Sequence, residues 1–228
     1  MVFLSPKVQE HHIISLHYTS RKNGVTKLGR IIYLIADTVY RFIALNILWL
    51  LFFVMGLGVF GFMPATVALF RVVREWIKGD PHFPLFSNYL KFYKGEFVRS
   101  NLLGAIFAIV FYIIYVNFSF VTYFYQESIH FYIYLVIFGI GTIAVMTFLN
   151  TFSVMAHFEY KKTSQYLKAA AGLVFARPLT ALLQLVWLFA YLLIAINFPK
   201  IFIAIGISVF AYVLMSINYS LFRKYNAV

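Results

Sequence analysis

The chain has 228 residues, of which 63% are hydrophobic and only 11% are charged, against roughly a quarter charged in a soluble globular domain. That composition cannot supply the polar surface of a water-soluble fold, and the length leaves no room for a second large soluble domain. The formal charge of +12 lies between apolar runs rather than on one basic face, so it reads as membrane orientation and not as nucleic-acid binding.

Residues 1–27 show no convincing period and are expected to form a poorly ordered extension, followed by a single membrane domain over residues 28–228. The extension carries Glu10, His11, His12 and His17 and no continuous apolar core, so it does not read as a signal peptide. Without a neighbouring cysteine, and the chain has none, these histidines read as solvated side chains rather than metal ligands.

An α-helical span needs about 20 apolar residues. Runs of that kind lie at Phe42–Met63, Asn101–Tyr125, Ile129–Phe152, Leu179–Phe198 and Ile201–Phe222. Each is expected to be helical, because a lone strand in lipid leaves its backbone groups unsatisfied. Lys and Arg number six before the first run, six between the first and second, and none in the next loop. Four follow the third run, Lys200 stands alone after the fourth, and Arg223 and Lys224 close the chain. Strict alternation would place the first six outside, against the positive-inside rule. The Gly56-Leu57-Gly58-Val59-Phe60-Gly61-Phe62-Met63-Pro64 stretch resolves this. Run one is expected to turn at the glycines and return as a shorter helix, which puts 18 of the 19 positive charges and the C-terminus on the cytoplasmic side of the plasma membrane. The expected fold is therefore all-α: a polytopic integral membrane bundle of about five spans, with a Gly/Pro-broken helical hairpin near the N-terminus.

Two segments read as amphipathic cytoplasmic helices at the headgroup boundary. In Pro64–Lys78, Arg71, Arg74, Glu75 and Lys78 oppose Leu69, Val72, Val73, Trp76 and Ile77, with Pro64 at the first turn and Gly79-Asp80-Pro81 as the stop. In Thr163–Ala176, Lys161, Gln165 and Lys168 oppose Leu167, Ala171, Val174 and Phe175. The candidate partner contacts on these helices are Arg71, Arg74, Trp76, Leu167, Lys168 and Phe175.

No constellation specifies a reaction, and the chain reads as a non-enzyme without cofactor or metal. Gly56-Leu57-Gly58-Val59-Phe60-Gly61 matches G-x-G-x-x-G, but it follows a membrane helix rather than a strand and reads as a turn. No P-loop is present. His82, His130 and His157 are widely separated. Of the seven carboxylates, Asp37 is placed to pair with Arg41 at i, i+4, and all seven are expected outside the hydrocarbon core or at its edge. Uncharged polar residues do occur inside the runs: Asn46, Asn117, Thr142, Thr147, Asn150, Gln184, Asn197 and Asn218. Helix–helix hydrogen bonds account for most such residues. A path for a neutral solute would instead gather Asn46, Asn117, Asn150 and Gln184 around one cavity.

Leu28-Gly29-Arg30, Asn46-Ile47-Leu48-Trp49-Leu50, Gly56 to Phe70, Val73-Arg74-Glu75-Trp76-Ile77-Lys78-Gly79 and Phe86 to Phe97 together resemble the YesL-type family of bacterial membrane proteins. The resemblance covers about residues 28–222. It implies a plasma-membrane protein linked to oligosaccharide uptake, because members are typically encoded beside carbohydrate ABC transporters. It brings no catalytic residues with it. The segment Thr163–Ala176 is placed like a permease coupling helix, but Ala169-Ala170-Ala171-Gly172 lacks the glutamate of that motif, so contact with permease subunits in the membrane is the better expectation. The leading expectation is a non-enzymatic accessory or regulatory subunit of a carbohydrate ABC importer, partnered by lipid and permease. An independent transporter or channel for a neutral solute such as a sugar is the alternative.

Overall fold

The computed structural model describes residues 27–79 and 84–224. Among them the secondary structure is entirely helical: α1 (Lys27–Met55), α2 (Val59–Lys78), α3 (Leu85–Phe124), α4 (Glu127–His157), α5 (Thr163–Ala176), α6 (Pro178–Asn197), the single turn α7 (Pro199–Ile201), a π-helical segment (Phe202–Gly206) and α8 (Ile207–Lys224). Five stretches are long and apolar enough to cross a membrane: Gly29–Met55, Leu85–Phe124, Glu127–His157, Pro178–Asn197 and Pro199–Arg223. The chain is an all-α multi-pass membrane protein. The proposed N-terminal extension falls on residues 1–26, outside the described residues, except for Lys27, which opens α1.

The first run does break at its glycines. α1 ends at Met55, and residues 56–58 turn the chain back into α2. Leu57 and Gly58 both take positive φ, at 56° and 75°, a conformation glycine adopts without a Cβ penalty and leucine does not. Close contact at the other two glycines then zips the hairpin. A Cβ on Gly61 would collide with the Phe53 carbonyl oxygen, and one on Gly56 would collide with Gly61 itself. Further down, the Trp49 indole donates to Thr66 Oγ at 3.1 Å and Phe42 meets Trp76 edge-on at 5.9 Å, so the helices run antiparallel along their length.

Two expectations about α2 need correction. Pro64 does not open the helix. It lies inside a helix that starts at Val59. A proline there frees the carbonyl four residues back, and Asn101 of α3 donates Nδ2 to that Phe60 oxygen at 3.0 Å. The local rule for proline gives way because another helix fills the missing bond. We expect Asn101→Leu to cost about 1–2 kcal/mol in thermal unfolding in detergent. Adding Pro64→Ala should recover most of it, because the restored N–H takes the carbonyl. The second concerns burial. The amphipathic pattern expected over Pro64–Lys78 does not hold in its first half, where every residue from Met63 to Phe70 is buried, with Val72 and Val73 beyond. A helix buried all round must be surrounded, and α2 is packed against α1, α3, α4 and α8.

α3 starts 16 residues before its apolar run and reaches Phe124, about 60 Å at 1.5 Å per residue. Its second half pairs with the first half of α4: Phe107 meets Phe148 at 5.0 Å and Phe118 meets Tyr134 at 4.9 Å. From residue 108 to 145 only Val121 is buried, so among the described residues no third helix packs along this two-helix arm.

Candidate functional site

Two buried polar clusters tie the bundle together. The first is charged. Arg71 of α2 donates Nη2 to Glu96 Oε1 of α3 at 2.6 Å and reaches the Met155 carbonyl at 3.4 Å, while its guanidinium lies over the Phe92 ring at 5.5 Å. The second oxygen of Glu96 faces Arg99 at 3.8 Å. Arg99 in turn donates to the Tyr166 hydroxyl at 3.2 Å. Tyr166, fully buried on α5, also accepts the Tyr160 backbone N–H at 3.0 Å. One chain of contacts therefore joins α2, α3, the end of α4 and α5. Burial, with Tyr166 adding to it, pushes the Tyr160 phenol above its ordinary range, so it stays neutral and hydrogen-bond competent.

Glu96 is 4% exposed and is held by two guanidiniums from different helical positions. Arg71 accordingly points into the bundle instead of toward a partner. Arg74 bonds Glu75 at 3.3 Å, and Lys78 reaches the same carboxylate at 3.5 Å. Trp76 packs on Phe42, and Leu167 is half-buried against the core. On α5 the buried face is Tyr166, Ala170 and Val174, and Phe175, one of the candidate partner contacts, is 66% exposed. Of the six candidate contacts, only Lys168 and Phe175 are exposed.

The second cluster is neutral. Asn150 of α4, Gln184 of α6 and Asn218 of α8 are all buried. Asn150 and Gln184 exchange two bonds of 3.1 Å. Gln184 donates to Asn218 at 2.8 Å, and Asn218 donates back to Asn150 at 2.8 Å. The three amides thus close on one another. We expect Gln184→Leu to lower stability by about 2 kcal/mol, because it leaves buried Asn150 Nδ2 and Asn218 Oδ1 without their partner. The triple leucine variant should recover most of that loss in the same melting assay.

The four amides that a solute path would gather around one cavity are not brought together. Asn150 and Gln184 share the triad. Asn46 sits elsewhere, where it donates to the Ile203 carbonyl at 2.6 Å and accepts from the Ser208 N–H at 3.3 Å. It thereby bridges the two backbone groups that bracket the π-helical turn. Asn117 is exposed and bonded to Ile113 of its own helix, in a shallow groove of about 350 Å³ with Val116, Phe120, Phe124 and Tyr125. Among the described residues, no group of three or more His, Asp or Glu side chains is placed to hold a metal ion.

Comparison with known proteins fits this frame. A family model described as "Protein of unknown function, DUF624" matches residues 42–118. The chain is 36% identical over 205 residues to the uncharacterized protein YteU of Bacillus subtilis (strain 168), covering 86% of this chain and 87% of YteU. It belongs to the YesL-type DUF624 family. A second relative, the uncharacterized protein YesL of the same organism, is 30% identical over 186 residues, 82% of this chain and 87% of YesL. The uncharacterized protein YesV is 37% identical over 84 residues, 37% of this chain and 40% of YesV. No solved structure matches the chain. The DUF624 segment of this chain holds the glycine turn, Asn46, Asn101 and the Arg71–Glu96 pair, whereas the amide triad lies wholly beyond it.

Proposed function

We propose that this DUF624 protein is a non-enzymatic accessory or regulatory subunit of a carbohydrate ABC importer in the plasma membrane, and that its α3–α4 arm lies against the permease. The observation that carries the reading is the arm itself. Residues 108–145 form two paired helices with one buried residue between them, while α1, α8 and the other halves of α3 and α4 pack around α2. The exposed side of the arm presents Tyr112 and Tyr115, each about two-thirds exposed. Tyrosine pairs a large apolar body with a hydroxyl that seeks a partner, and helices of another subunit supply both.

The polar interior supports the same reading. A path for a neutral solute needs its amides free to meet the solute, and here Asn150, Gln184 and Asn218 bond one another while Asn46 bonds backbone. The link to oligosaccharide import rests on the resemblance to YesL-type proteins and on their usual gene neighbours. In this reading the basic ends of the helices and the C-terminus are cytoplasmic. A reporter fused at residues 84–90 should therefore give a cytoplasmic signal, and an external signal would overturn the orientation.

The proposal is tested by extracting the tagged protein in mild detergent from its native host grown on a complex polysaccharide. Stoichiometric recovery of an importer permease and its ATPase is the expected result. Recovery of the chain alone across several gentle detergents would overturn it.

A further inference from the structure

The lysines of this chain are not spread evenly along its helices. On α3, Lys91 and Lys94 are exposed, and the same stripe continues through Gly95 to Val98 and Leu102, which are 80% and 52% exposed. Residues three or four apart share one helix face, so this face changes from cationic to fully apolar within a single turn. The only carboxylate between residues 85 and 102 is Glu96, which is buried.

A second stripe has the same polarity. Lys161 and Lys162 are exposed at the corner that leads into α5, and Lys168 is exposed on the helix. Beyond Lys168, at helical spacing, come Gly172 and Phe175, the latter 66% exposed, and past the break at Arg177 the first turn of α6 adds Leu179, 77% exposed. The only carboxylate between residues 158 and 176 is Glu159. The two stripes belong to elements in direct contact, since Arg99 of α3 bonds and overlies Tyr166 of α5. None of the five lysines takes part in an ion pair among the described residues.

We propose that these two stripes form one docking surface for anionic phospholipid headgroups, with Lys91, Lys94, Lys161, Lys162 and Lys168 meeting the phosphates. Val98, Leu102, Phe175 and Leu179 lie along the acyl chains. Charge complementarity selects the occupant. Five unpaired ammonium groups border apolar surface on two elements, and an anionic lipid presents a negative head joined to an apolar tail. Side-chain-free backbone at Gly95 and Gly172, where an added Cβ would meet nothing within 4 Å, leaves open space between each charged and apolar part. Lysine near an anionic leaflet strengthens attachment about five-fold per residue, and salt screens the effect.

The test is a titration of the detergent-solubilised full-length chain with short-chain phosphatidylglycerol or phosphatidylcholine, read as a shift in melting temperature. Phosphatidylglycerol should raise the melting temperature of the wild type at far lower concentration than phosphatidylcholine, and 0.5 M salt should remove most of that difference. The combined K91Q, K94Q, K161Q, K162Q and K168Q variant should need at least about ten-fold more phosphatidylglycerol. The corresponding five Lys→Arg changes should retain wild-type response, which separates charge from any loss of folding. K200Q, in the single turn α7, should leave the response unchanged. Equal response of the wild type to the two lipids, or an unaltered response in the Lys→Gln variant, would overturn the proposal. So would a lysine-dependent effect seen only with a soluble protein partner.

Discussion

Glu96→Ala is expected to destabilise the protein by about 3–5 kcal/mol. The carboxylate is nearly enclosed, and its removal leaves Arg71, with a side chain only 15% exposed, as a buried charge without its counter-ion. Arg99 loses the same partner. The cost of breaking such a pair exceeds what the pair contributes, since an uncompensated charge in a low-dielectric interior is far less favourable than a neutral one. The double variant Arg71→Met, Glu96→Leu should therefore melt much closer to wild type than either single change. Thermal unfolding in detergent, followed by tryptophan fluorescence, checks both statements. A Glu96→Ala protein that melts with the wild type would mean that water reaches the pair.

Gly61→Val is the second large effect. Its Cβ would press on the carbonyl oxygens of Phe52 and Phe53, which are backbone atoms and cannot rotate aside. The hairpin must splay, and the Trp49–Thr66 bond and the edge-on Trp49–Phe62 contact at 6.2 Å go with it. We expect a loss of about 3 kcal/mol or more. Gly95→Ala and Gly172→Ala offer the contrast, because both positions face open space. There alanine should be neutral or should stabilise the helix by up to about 1 kcal/mol. If Gly61→Val accumulated and melted like Gly95→Ala, the close crossing of α1 and α2 would be wrong.

These residues also show what could be read before any coordinates. The five spans and the glycine turn were legible because both are local signals: hydropathy over about 20 residues, and a cluster of residues that break helices. Pro64 was misplaced at the helix start because its compensation, the Asn101 amide, comes from 37 residues further along. Arg71 and Glu96 could each be seen as a charge near a run, but their pairing across two helices could not. The spacing of the α2 charges marked one polar stripe, and only packing by neighbouring helices turns its first member, Arg71, into the bundle while Lys78 stays exposed. The amides were picked out singly as polar groups in apolar runs. That three of them close on one another depends on the approach of α4, α6 and α8, which no spacing encodes. Tyr166, the buried anchor of α5, carries no polarity signal that would mark it out.

The central claim is that the α3–α4 arm meets another membrane protein. Placing a photoreactive residue at Tyr112 and irradiating intact membranes tests it most directly. The account predicts one discrete adduct with a polytopic permease subunit of a carbohydrate importer, lost when the same residue is placed at the buried Val121. Lipid adducts alone at Tyr112, with no protein partner in membranes from cells grown on polysaccharide, would contradict it.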